Sequence, residues 1–284
     1  MDIKGINWYP GHMAKAKRLI AENLKQIDIV AEIIDARIPK SSQNPDFDNL
    51  LMEKPRIIIL NKSDLADANI SRQWINKYEK KGTVAILTDC KSGNGLNEFA
   101  VKIREVIAQK LIRRENRGIG GMSIKVMIVG VPNSGKSSLI NRLAKGKKAK
   151  VEDRPGVTKG KQWISVEGGI DLLDMPGILW PKIENPISSL NLAVTGAIRD
   201  DITDIEYLAG YLLNELNINY KQLIASRYKL GDTENLEGHS LLKRVAKNRG
   251  FLLTKGEFDI ERASKIVLDE FRGGKIGRIT LEKP

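Results

Sequence analysis

Apolar residues run along this chain in two rhythms. Through the first two-thirds they gather into short runs at 27–34, 56–60, 83–87 and 124–129, with a pair at 163–166 and 170–173 that reads as a hairpin. Runs of strand length that are apolar throughout suit strands buried on both faces of a parallel sheet. The three- and four-residue spacing of helices falls between them, over roughly 13–25, 70–81, 95–115 and 136–145. Strands alternating with helices predict an α/β fold, a doubly wound and mostly parallel sheet. The polar, glycine-rich stretch 113–122 reads as a connection inside that layer structure.

Beyond Pro186 only the helical rhythm remains: Leu208, Tyr211, Leu212, Leu216; Leu241, Leu242, Val245, Ala246; Ile260, Ala263, Ile266, Val267, Phe271. The expectation is two domains, residues 1–186 forming the α/β part and 187–284 a small all-α domain.

Composition narrows the function classes. The chain has 284 residues, 41% hydrophobic and 29% charged, enough to bury a core. No apolar run approaches the ~18–20 residues a membrane span needs, and the first dozen residues lack a signal pattern, so a cytoplasmic protein without a membrane partner is expected. One cysteine, Cys90, excludes an internal disulfide, and two histidines, His12 and His239, argue against a histidine-rich metal centre. The net charge is +12, and residues 1–189 hold most of the surplus with 32 basic against 21 acidic side chains. Such an excess attracts polyanions, nucleic acid first. Basic residues concentrate at Lys15, Lys17, Arg18 and Lys25, in the segment from Arg142 to Lys161, and at Lys243, Arg244, Lys247 and Arg249. Phosphate contacts of this kind give salt-dependent binding of low sequence specificity. Aromatic residues are only 5%, so stacking on splayed bases is a lesser part.

The chemistry-bearing residues follow predicted strands. Gly130-Val131-Pro132-Asn133-Ser134-Gly135-Lys136-Ser137 fits GxxxxGKS between the strand ending at Val129 and a helix beginning with Ser138. Its backbone N–H groups, those of Ser134, Gly135 and Ser138 among them, would surround phosphates; Lys136 would reach the β- and γ-phosphates, and the Ser137 hydroxyl would bind Mg2+. Asn61-Lys62-Ser63-Asp64 closes the 56–60 run. A carboxylate at Asp64 can accept from two guanine donors that adenine does not offer, which makes GTP/GDP the expected nucleotide. Asp174-Met175-Pro176-Gly177 closes the 170–173 run, with Asp174 placed for the Mg2+ shell and the Gly177 N–H for the γ-phosphate. Thr158 lies where a switch threonine would cap the metal. Asp89, Cys90 and Lys91 are expected to offer a backbone contact to the base edge.

These five segments resemble the guanine-nucleotide motifs of Ras-like GTPases, but rotated: Asn61–Asp64 and Asp89–Lys91 precede the phosphate loop, and Asp174–Gly177 comes last. That order resembles a circularly permuted GTPase. The words Trp8-Tyr9-Pro10-Gly11-His12-Met13, Asp35-Ala36-Arg37-Ile38-Pro39 and Gly177-Ile178-Leu179-Trp180-Pro181-Lys182 closely resemble the YlqF/YawG family across the whole chain. Asp89-Cys90-Lys91 departs from the usual serine–alanine start, which leaves its side-chain roles open.

The resemblance implies a permuted Ras-like P-loop GTPase domain followed by a small all-α domain of antitermination-like, RNA-binding type. It implies a monomer that hydrolyses GTP, binds the ribosomal RNA of a late large-subunit (50S) precursor, and leaves after hydrolysis; no DNA partner is expected. Ile178 stands where Ras-like proteins carry a water-orienting glutamine, so hydrolysis is expected to be slow until the ribosomal particle stimulates it. The family offers His12 as the group that positions water; read from its residues alone, His12 is a helix-start residue or an RNA contact. Asn133 matches loops that hold K+ beside the phosphates, or it stabilises the turn. The chain order also ties the Asp174–Gly177 switch directly to the helical domain. A signalling GTPase, an RNA-binding protein with a structural nucleotide, and an ATP-dependent P-loop enzyme are the competing classes.

Overall fold

The computed structural model describes residues 10–51, 54–144, 163–180, 183–254 and 256–284. These divide into two compact units, Ile183–Leu281 in one, and 10–180 with Glu282–Pro284 in the other.

The larger unit alternates α1 (Pro10–Leu24), β1 (Ile29–Asp35), α2 (Asp46–Leu50), β2 (Arg56–Asn61), α3 (Ala68–Lys80), β3 (Val84–Leu87), α4 (Asn97–Val106), α5 (Ala108–Glu115), β4 (Ile124–Val129), α6 (Lys136–Ala144), β5 (Trp163–Val166) and β6 (Ile170–Asp174). The strands form one sheet in the order β3-β2-β1-β4-β6-β5. All pairs are parallel except β5 with β6, the expected hairpin. Every residue of β1 is buried, as a central strand covered on both faces requires. On one face Ala31 and Ile33 pack with Phe99 and Ile103 of α4 and Leu139 and Ile140 of α6. On the other, Val30 meets Ile20 and Leu24 of α1 and Phe47 of α2, and Ile34 meets Trp74 and Tyr78 of α3.

The expected single helix over 95–115 is two helices. Ile107 leaves helical geometry (φ −107°, ψ 18°) while staying buried in the core. The break carries Lys110 and Arg114 to the buried Asp28 carboxylate at 2.7 and 2.6 Å. An acid sealed at the foot of β1 needs such partners, and they redirect α5.

From β1 the chain moves outward through β2 to β3, then returns to place β4 on the other side of β1. Strand order therefore reverses between β1 and β4. Ligands in open α/β sheets sit at that reversal, beyond the carboxyl ends of the strands.

The second unit contains α7 (Pro186–Val194), α8 (Ile205–Asn219), α9 (Lys221–Tyr228), α10 (Gly238–Arg249) and α11 (Ile260–Arg272). Asn185, Asp204 and Asp259 cap α7, α8 and α11 with side-chain oxygens. Leu208, Leu212, Leu241, Val245, Val267 and Phe271 are fully or nearly buried and form its centre. No described helix is long and apolar enough to cross a membrane.

Candidate nucleotide-binding site

β4 ends at Val129 and α6 begins at Lys136, so the phosphate loop occupies the turn at the sheet's reversal point. Its backbone must be unusual to fit there. Gly135 has φ +107°, and a Cβ on it would lie 2.1 Å from Asn61 Nδ2; only glycine permits both. Asn133 is also left-handed, at φ 57°, and its side chain is exposed. Ser137 and Ser138 are exposed at the first turn of α6, whereas Ser134 is buried and donates through Oγ to Val131 O at 2.9 Å.

Lys136 is buried within this loop. Its Nζ donates to the carbonyls of Gly130 and Val131 at 3.2 and 2.9 Å. Burial pulls its pKa down to about 8, and the nearby Asp174 carboxylate offsets only part of that effect. The Asp174 pKa is raised, by burial first, with Lys136 opposing. Such an ammonium is poised to gain from a phosphate, which would supply the missing negative charge.

Asn61 binds the nucleotide segments to one another. Its Nδ2 donates to Ser134 O of the phosphate loop at 2.8 Å. Its Oδ1 accepts from Cys90 N at 3.0 Å. Ser63 N reaches Thr88 O at 3.1 Å, completing the join between the loops after β2 and β3. Asp64 is exposed beside them. Lys62, left-handed at φ 61°, points its ammonium at Asp35 Oδ2, 2.9 Å away. Within the expected base-edge loop, Cys90 N is engaged by Asn61 and Lys91 N by Asp89 Oδ1 at 2.8 Å. The Cys90 thiol is pushed up to about 11 by burial, so it is a poor nucleophile.

The Asp174–Gly177 segment approaches the loop from β6. A Cβ at Gly177 would lie 2.8 Å from Lys136 Nζ and 3.0 Å from Pro132 Cα. Ile178 N donates to Gly130 O at 3.2 Å, and Ile178 O accepts from Asn44 Nδ2 at 3.3 Å. Asn61, Lys136, Asp174 and Gly177 are thus gathered at one end of the sheet.

Thr158, the stretch 145–162, and Pro181-Lys182 lie outside the described residues. His12 falls in the first turn of α1; its side chain also lies outside them. No group of three or more His, Cys, Asp or Glu able to hold a metal occurs among the described residues. Oxygen donors at Ser137 and Asp174 suit a hard cation that keeps most of its water and shares phosphate oxygens.

The basic stretches are partly committed within the protein. Lys17 pairs with Asp46 at 2.6 Å. Arg249 lies 3.4 Å from Glu270, and Arg244 donates to Leu230 O at 3.2 Å. Lys15, Arg18, Lys25, Lys243 and Lys247 face solvent.

Sequence reasoning gave no role to Asp35, Arg37 and Asn44. The buried Arg37 guanidinium grips Asp35 through Nε and Nη2 at 2.9 and 2.7 Å. Burial would raise the Asp35 pKa, but Arg37 and Lys62 overwhelm it and hold the carboxyl far below its ordinary range. An acidic residue followed two positions later by arginine at a strand end was the available signal.

A phosphate loop at the reversal point, joined by one asparagine to the two loops that precede it in sequence, defines a P-loop GTPase with circularly permuted order, an enzyme that hydrolyses GTP. Residues 125–223 match the family model described as 50S ribosome-binding GTPase. The chain is 44% identical to the ribosome biogenesis GTPase A of Bacillus cereus, over 98% of this chain and 94% of that protein. It is 34% identical to the mitochondrial ribosome-associated GTPase 1 of Mus musculus, over 97% and 90% of the two chains. The solved structure of GNP-bound YlqF from T. maritima superposes with a TM-score of 0.65 at 29% identity, covering 95% of this chain and 98% of that one. GDP-bound YlqF gives 0.66 at 28% identity, with 94% and 99% covered. The chain belongs to the ribosome biogenesis GTPase A family.

Proposed function

We propose that this GTPase is a cytoplasmic assembly factor that docks with GTP on a late large-subunit (50S) precursor, binds its ribosomal RNA, and leaves as a monomer after hydrolysis. The observation that carries the nucleotide half is the Asn61 side chain, which spans Ser134 of the phosphate loop and Cys90 of the following loop. The names of the relatives and the +12 charge support the ribosomal half.

In this reading Asp64 accepts the two guanine donors, and the loop 89–91 shields the base. Lys136 and the N–H groups of residues 134–138 neutralise and orient the phosphates, which is most of what phosphoryl transfer needs from a protein. Ser137, Asp174 and Thr158 would hold Mg2+, whose charge would stabilise the departing diphosphate. Asn133 would hold K+ near the same oxygens. Gly177 donates its N–H to the γ-phosphate and registers its loss. Ile178 has no group to orient water, so turnover is slow until the particle brings His12 into place. Exposed lysines on α1 and α10 supply RNA phosphate contacts.

GTP hydrolysis with and without purified large subunits, in K+ and in Na+, tests this together with co-sedimentation in GDP and in a non-hydrolysable analogue. Stimulation by the particle, tighter association with the analogue, faster turnover in K+, and loss of most stimulated turnover in His12→Ala with GTP affinity kept are expected. Particle-independent turnover, or association indifferent to nucleotide, contradicts the reading.

A further inference from the structure

The loop from Asp35 to Asn44 touches three places. Its first residues hold the base loop: Ala36 N donates to Asn61 O at 2.8 Å, and Asp35 accepts from Lys62 Nζ at 2.9 Å. Its last residue, Asn44, holds Ile178 O at 3.3 Å, just past Gly177. Its middle is held by the end of the chain. Lys40 N donates to Glu282 Oε2 at 2.7 Å. Ser41 N donates to both Glu282 carboxylate oxygens at 3.2 and 3.0 Å, and the Ser41 hydroxyl donates to Oε1. Trp74 Nε1 pins the Glu282 carbonyl at 2.9 Å. Nothing in the nucleotide motifs calls for this carboxylate, 242 residues away from Lys40.

We propose that Glu282 is a positioning residue for guanine-nucleotide binding: its carboxylate holds the 35–44 loop in the shape that presents Asn61 and Lys62. The connection is short and built of hydrogen bonds. Glu282 fixes the Lys40–Ser41 backbone. The next hydroxyl, Ser42 Oγ, donates to Ile38 O at 2.7 Å and accepts from Asp35 N at 3.0 Å. Asp35 and Ala36 then meet Lys62 and Asn61. A carboxylate accepting from two backbone N–H groups and a hydroxyl is stronger than a neutral acceptor and fixes geometry more tightly.

The proposal rests on guanine binding at Asn61–Asp64. Its test is the release rate of a fluorescent GDP from four proteins: wild type, Glu282→Gln, Lys62→Ala and the double variant, with thermal melting of each. Glutamine keeps the shape but turns an amide NH2 toward donors. Expected are release about tenfold faster in Glu282→Gln, a wild-type melting temperature, wild-type single-turnover hydrolysis of prebound GTP, and a smaller increment when Lys62 is already alanine. Unchanged release, or the same increment in both backgrounds, overturns the proposal, as does faster release that only accompanies a lower melting temperature. Failure of the wild type to retain GDP overturns the site reading beneath it.

Discussion

Glu32 sits in the middle of β1, wholly buried, with Asn44 N donating to Oε1 at 3.2 Å and Arg56 Nη1 3.3 Å from Oε2. Burial raises its pKa from 4.5 to about 7, against the opposing pull of Arg56 and Asn44. A group whose pKa rises on folding stabilises the fold below its unfolded value and loses that contribution as pH climbs through the folded one. Glu32→Gln should therefore gain stability relative to wild type between pH 5 and pH 8, by up to about 3 kcal/mol. Urea unfolding at the two pH values checks this; a constant difference contradicts it. Lys136 runs the other way, its pKa drawn down to about 8. A bound phosphate would raise it again, so GDP binding above pH 8 should take up protons and weaken as pH rises. Calorimetry in two buffers of different ionisation enthalpy reads that uptake directly; identical heats contradict it. Neither value could be foreseen from the sequence, where a glutamate in an apolar run and a motif lysine carry no record of how deeply they are enclosed.

At the scale of elements, the strands and the phosphate loop were legible because each carries its own local signal: an apolar run of fixed length, then a glycine pattern. β4 and the start of α6 fall where the sequence places them. The break at Ile107 was not legible, since the periodicity continues across it and its cause is the distant Asp28. α2 was missed for a similar reason: five residues are too few for a period to show. The packing of the Asp174–Gly177 segment on the phosphate loop was likewise invisible, although the motif was plain. That packing has a consequence. A methyl on Gly177 would press on Lys136 Nζ and Pro132. Gly177→Ala should therefore weaken binding of a non-hydrolysable GTP analogue by about tenfold. An affinity equal to wild type would mean that the segment does not pack against the loop when nucleotide is bound.

For the whole molecule, motif order made the permutation readable. Long-range polar contacts supplied what was missing. The Asp35-Ala36-Arg37 word is conspicuous in the sequence, but its Asp35 partner Lys62 is 27 positions away. Lys17, Arg244 and Arg249, basic residues of the counted stretches, also have partners within the protein.

The proposed function depends on Asn61 and Asp64 presenting guanine to the loop that holds Lys136. Isothermal titration of GDP, ADP and xanthosine diphosphate into wild type and Asp64→Asn tests it most directly. Wild type should bind GDP and reject ADP, and Asp64→Asn should lose GDP affinity by about 100-fold or more (roughly the cost of an unpaired buried donor pair) while gaining the xanthine nucleotide, whose carbonyl replaces the amino donor. Equal binding of ADP and GDP by wild type, or unchanged GDP affinity in Asp64→Asn, would contradict it.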